Sequence, residues 1–197
     1  MLVTDGIVTA GDEADALMAR VKKLKDVGVL RMDAIATGGI RDDAALARLV
    51  RGTLPQDGAV IDARRGAAEV VRRLQQKTES GLLVDVAGAS WVWPKRLDGM
   101  QPGDEVLVVA ELPKGVATPK ITVGGRAVDV GAVSAAPAPL LRRAWARAKI
   151  DRLIDARERE KDVKAKGELA DQIVAVSTAH RVLSPFTALL VLETEAD

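Results

Sequence analysis

Apolar positions change period several times between residues 1 and 79. Leu2 and Val3 form a short apolar run that stops at Asp5-Gly6, which reads as a strand ended by a turn. Ala14, Leu17, Val21 and Leu24 then recur at helical spacing. Asp12 is placed to cap that helix, Asp15 lies in its first turn where a negative charge favours the helix dipole, and Gly28 suits the C-terminal cap. Residues 29–36 read as the next strand, broken by Gly38-Gly39. Asp42 opens a second helix with Leu46, Leu49 and Val50 on one face. Residues 58–62 read as a short strand, and residues 67–77 as a third helix carrying Val70, Val71 and Leu74. Strands alternating with helices predict a parallel α/β sheet.

After Ser80 the pattern changes. Residues 82–86, 91–93, 105–112, 120–123 and 127–133 read as short strands. Between them lie the turn signals Asp98-Gly99, Pro102-Gly103, Pro113 and Gly124-Gly125. This predicts antiparallel β structure, part of a sandwich. Residues 135–139 form a small-residue, proline-containing linker.

Residues 140–159 read as a long helix. Leu141, Ala144, Trp145 and Ala148 share one face, while Ile150, Leu153 and Ile154 point to another. A helix apolar on two sides is expected between two packing partners. Residues 158–168 are a charge run, expected as a mobile turn. A second helix carries Leu169, Ile173, Val176 and His180 and is expected to end at Ser184-Pro185. Residues 186–193 read as a final strand. The expected organisation is therefore an α/β part over residues 1–79, an antiparallel β part over 80–139, and a helical pair with a terminal strand over 140–197.

Composition narrows the function more than the fold. Apolar residues make up 48% of the 197, enough for a core without covalent staples. With no Cys, disulfides and thiolate metal sites are excluded. Lys plus Arg is 29 against 28 for Asp plus Glu, which argues against a nucleic-acid partner, since such binders carry a basic surplus. Trp91, Trp93, Trp145 and Phe186 are too few to build a base-stacking platform. No apolar run is long enough for a transmembrane segment, and the N-terminus lacks a signal-peptide pattern. The compartment stays open.

Four groups of residues carry candidate chemistry. In Val3-Thr4-Asp5-Gly6, a carboxylate follows a strand's carboxyl end, where open α/β sheets bind ligands and where a hard cation can be held directly or through water. On these residues alone, the reading that Asp5 caps a turn leads. Thr37-Gly38-Gly39-Ile40-Arg41 lies between a strand and a helix. The backbone N–H groups of Gly38 and Gly39 could cradle a phosphate, with Arg41 adding charge. Asp42 and Asp43 would repel an anion there, so a structural turn is the stronger reading. His180 is the only histidine, so a transition-metal site or a Ser-His-Asp triad has little to draw on, and a packed core role is expected. Trp91 and Trp93 fall on the same face of a strand and could form a ligand surface. Packing against the α/β part or the long helix is the simpler expectation.

Taken together, these segments resemble a known family. VTDG at a strand's end, followed by a helix, a strand with a glycine-containing loop and another helix, resembles the second half of a von Willebrand factor type A (VWA) domain. LLRRAWARAKIDRLIDARE, and QIVAVSTAHRVLSPFTALLVLETE after a charged gap, resemble the region after that domain in inter-alpha-trypsin inhibitor heavy chain-like proteins. The similarity is greatest to bacterial relatives that pair it with a vault/inter-alpha-trypsin (VIT) domain. The resemblance implies a partial VWA fold with a Rossmann-like parallel sheet. It implies a non-enzymatic protein-binding or adhesion function through a metal-ion-dependent adhesion site (MIDAS). That site uses D-x-S-x-S, a Thr from a later loop and the Asp of the T-D-G segment. Asp5 matches only the last, and D-x-S-x-S is absent from this chain. The resemblance therefore implies a fragment of a longer protein, with the remaining ligands expected upstream of Met1. It implies Mg²⁺ or another divalent cation in the intact relative and none held by this chain. The partner would be a protein, the missing N-terminal half among the candidates. Relatives are often exported or envelope-associated.

Overall fold

Leu2–Thr4 (β1), Ala34–Ala36 (β2) and Val60–Asp62 (β3) form a parallel sheet in the order β1-β2-β3, in a computed structural model that describes residues 1–9, 11, 14–116 and 118–188. Three helices join and flank these strands: α1 (Ala14–Lys23), α2 (Asp43–Val50) and α3 (Ala67–Gln75). Side chains alternate along β2, so Ala34 and Ala36 face one way and Ile35 the other. Ala34 and Ala36 pack with Leu46 and Val50 of α2, and a neighbouring cluster joins Val21 of α1 to Leu49 and Leu54. Ile35 packs with Ala59, Ile61 and Val70 of α3. Helices α1 and α2 thus cover one face of the sheet, as same-handed crossovers between sequential strands require, and α3 covers the other.

The local reasons are readable. Oδ1 of Asp42 accepts the Ala45 N–H at 2.8 Å, capping α2. Gly28 adopts a positive φ of 85° and closes a short 3₁₀ turn, residues 24–27, that follows α1. The expected Asp12 cap, and the side chains of Ala14 and Asp15, lie outside the described residues. The strand expected over residues 29–36 is confined to Ala34–Ala36. Asp33 is buried beside it and uses Oδ1 to accept the Ala59 N–H at 2.8 Å and the Arg31 Nε–H at 2.9 Å. A side chain therefore takes the Ala59 N–H in place of a backbone acceptor, while the Asp33 carbonyl still accepts the Leu2 N–H at 2.8 Å.

The chain divides into two compact units: Met1–Leu83 with Arg96–Val106, and Val84–Lys95 with the chain from Leu107 onward. In the first unit, the start of β4 (Leu82–Val86) pairs antiparallel with β6 (Arg96–Leu97). In the second, Val84–Val86 pairs with β8 (Ile121–Val123), and β8 with β9 (Arg126–Val128). A separate antiparallel ladder joins β5 (Trp91–Trp93) to β7 (Val109–Glu111). The strands expected over 105–112 and 127–133 are shorter than their apolar pattern, because only Val109–Glu111 and Arg126–Val128 find a partner strand.

Helices α4 (Ala138–Arg159) and α5 (Val163–His180) complete the second unit. Ile150 of α4 and Ile173 of α5 are fully buried. Helix α4 touches α5 and also β5 and β7, and Ala148 and Ile150, one on each apolar side, are buried, while Leu141 stays exposed. Three expectations are corrected here. The charge run 158–168 is not a long turn, since only residues 160–162 separate the helices. Asp162 caps Ala165 at 2.8 Å and the Lys, Ala and Glu that follow are good helix formers. Helix α5 ends earlier than Ser184-Pro185, at His180, where Arg181 takes a left-handed cap with φ 54°. Residues 186–188 form no strand, and the rest of the expected terminal strand lies outside the described residues. The fold is therefore mixed α/β: a parallel three-stranded sheet, antiparallel ladders and two C-terminal helices. Among the described residues, no helix is long and apolar enough to cross a membrane.

Candidate functional site

The carboxyl ends of β1, β2 and β3 bring several sequence-predicted residues together. Asp5 follows β1. Its Oδ1 accepts the Ile7 N–H at 3.0 Å and lies 3.4 Å from the Thr4 hydroxyl, while the Gly6 N–H donates to Thr4 Oγ1 at 3.2 Å. The carboxylate is thus folded onto its own loop as a turn cap. Two backbone bonds tie this loop to the one after β2: Thr37 N–H to Thr4 O at 3.0 Å, and Asp42 N–H to Asp5 O at 2.8 Å. Gly6 is required there. It has φ 81°, and a Cβ would lie 2.7 Å from Asp42 O and 2.8 Å from Leu46 Cγ. Gly38, with φ 85°, sits against the Asp5 side chain, since a Cβ on it would meet Asp5 Cβ at 3.7 Å.

Arg41 spans two loops. Its Nε lies 3.0 Å from Asp43 Oδ1, and another guanidinium nitrogen lies 2.8 Å from Oδ1 of Asp62, the last residue of β3. Arg64 holds the same carboxylate through its side chain at 2.8 Å and its backbone N–H at 2.9 Å. Hydrogen bonds from Arg64 and then Arg41 hold Asp62 far below the usual carboxylate range, and Asp62 in turn raises both arginines. The structure brings Asp5, Gly38 and the Arg41–Asp62 bridge to one end of the sheet, but the Arg41 guanidinium is already paired with two carboxylates. Asp62 was not singled out from the sequence. The signal that marked Asp5, a carboxylate at the carboxyl end of a strand, was present there too. Among the described residues, no group of three or more His, Cys, Asp or Glu side chains could hold a metal ion.

The second unit carries a different constellation. The Trp145 indole N–H donates to Glu111 Oε1 at 2.6 Å, and the Lys149 ammonium lies 3.7 Å from the same oxygen. That ammonium sits 4.8 Å from the Trp91 ring centroid and 5.4 Å from that of Trp145, with Arg152 also over Trp91. His180 meets the Trp145 ring edge-on at 5.2 Å and is half-buried, a packing partner at the edge of the core. The indole bond, followed by Lys149 and Ser90, lowers the Glu111 carboxyl below its ordinary value against the opposing effect of burial. Trp91 is buried beneath the long helix, as its packing reading expects, and lysine fills the position that a cationic ligand would take on it.

No protein-family model matches the chain, and no curated protein or solved structure matches it.

Proposed function

We propose that this chain is the C-terminal portion of a VWA-type, non-enzymatic protein-binding module, with Asp5 as one ligand of a divalent-cation site. The supporting observation is the position of Asp5. It lies at the carboxyl end of β1, which among the described residues is the edge strand of the parallel sheet and has a partner on one side only. A further strand laid along the open side would bring its own carboxyl-end loop beside Asp5. In this reading that strand comes from another polypeptide segment and carries the D-x-S-x-S ligands. Asp5 releases the Ile7 N–H or acts through water, and the cation keeps an open position for a carboxylate of the protein partner. The β and helical parts serve as scaffold.

The phosphate-loop reading of Gly38, Gly39 and Arg41 has less support, because Asp43 and Asp62 occupy the arginine. A purely structural interaction module that docks through α4 also has less support, because Ala148 and Ile150, one on each apolar side of α4, are buried within its own unit.

The test is to express the reading frame extended upstream of the Met1 codon and titrate it with Mn²⁺. One bound ion is expected in the extended protein, with affinity reduced at least tenfold by Asp5→Ala, and no saturable binding by the present chain. An extended frame without D-x-S-x-S, or an Asp5→Ala protein that binds unchanged, removes the reading.

A further inference from the structure

Beside β1, on the face of the sheet covered by α1 and α2, lies a cleft of about 270 Å³. Leu17 and Met18 of α1, Leu46 and Leu49 of α2, and Leu2 and Met32 line it, and Ile7 and Val8 form its lip. Those lip residues are apolar yet 41% and 58% exposed. The wall has little polar character. Thr4 contributes a hydroxyl already engaged by the Gly6 N–H, and among the described residues Arg48 is the one charged residue lining the cleft.

A recess with such walls offers water few partners, so it favours an apolar occupant. We propose that it binds a single unbranched alkyl chain, with the chain's polar head left in solvent between Ile7 and Val8. The volume sets how much of the chain is buried. A dry cavity of about 150 Å³ accommodates the six carbons of benzene, so this cleft takes roughly ten. The two methionines suit a flexible guest, since an unbranched thioether side chain repacks around an irregular shape at little cost. No metal and no residue beyond this chain enters the argument, so it stands apart from the cation-site reading.

The test uses the whole chain and 1-decanol, with binding followed by calorimetry and by the thermal unfolding midpoint. Saturable one-to-one binding and a midpoint that rises with decanol are expected. Ala45 lines the cleft from the surface of α2, so Ala45→Trp plugs it without removing core atoms. That variant should bind at least tenfold more weakly. Val71→Trp adds the same indole to the exposed side of α3, outside the cleft, and should bind normally. Decanol binding should be the same with EDTA as with added Mn²⁺, which separates failure here from failure of the cation reading. Non-saturable uptake, or equal binding by Ala45→Trp and the parent, overturns the proposal. A dimer in sedimentation that Ala45→Trp dissociates, with no decanol binding, also overturns it and assigns the cleft to a second copy.

Discussion

Trp145 and Glu111 are joined by a 2.6 Å hydrogen bond from indole to carboxylate, which ties α4 to the last residue of β7. A bond to a charged acceptor exceeds a neutral one, but the Glu111 side chain is 38% exposed and water competes for it. Trp145→Phe and Glu111→Gln should therefore show a coupling of about 1 kcal/mol in a double-mutant cycle read by urea unfolding. Additive losses would mean that the bond carries no net stability.

Acid should weaken the first unit through its depressed carboxyls. Hydrogen bonds from Arg72 and then Arg73 lower Glu69 from 4.5 to about 2, and Asp62 is lowered further still by Arg64 and Arg41. A carboxyl with a folded pKa below its ordinary value stabilises fully above that ordinary value. It loses the contribution as pH falls toward the folded one. Urea midpoints should therefore hold from pH 7 to about 4.5 and fall steadily from there to pH 2. Glu69→Gln should flatten part of that fall, and an unchanged slope would contradict the assignment.

Gly58 is a packing requirement of a different kind from Gly6. A Cβ on it would sit 1.8 Å from the Met32 carbonyl oxygen, so the chain before β2 would have to move. Gly58→Ala should cost about 3 kcal/mol, the upper range for overpacking. Gly39→Ala meets nothing within 4 Å and should change stability by less than about 1 kcal/mol. Chemical denaturation of the pair decides this, and equal effects would refute the steric account.

Arg73 is 5% exposed and serves three acceptors: Glu69 at 3.0 Å, Asp104 at 2.5 Å and the Gln101 side chain at 3.5 Å. Gln101 returns a bond from its amide to the Arg73 carbonyl at 2.7 Å. Arg73→Met leaves Asp104 without its cation and should cost about 2 kcal/mol or more. Arg73→Lys should lose at least half as much, because one ammonium cannot reproduce the planar fork. Hydrogen exchange should report the loss first in α3. A lysine variant as stable as the parent would show that charge alone suffices.

Much of this arrangement was legible from spacing. The starts of β1 and α2, the extent of β4 and β5 and the pairing of α4 with other elements follow from apolar period and caps such as Asp42. What escaped was decided by distant partners. Nothing local in residues 29–33 says that the Asp33 carboxylate will bond Ala59. The two-residue strand Arg96–Leu97 has no periodicity at all and exists because Leu82 and Leu83 lie opposite it. In the candidate site, Asp5 and Gly38 could be placed near each other from strand ends alone. The capture of Arg41 by Asp62 could not, because β3 lies 21 positions further along the chain.

Strand β4 enters the second unit after Leu83, the chain returns to the first at Arg96, and it leaves again after Val106. With three crossings, no single break in the gene separates the two units. Neither can travel alone as a cassette in recombination, and no single truncation removes the whole of one unit while leaving the other intact. Any inherited change of architecture in this protein must carry the pair together.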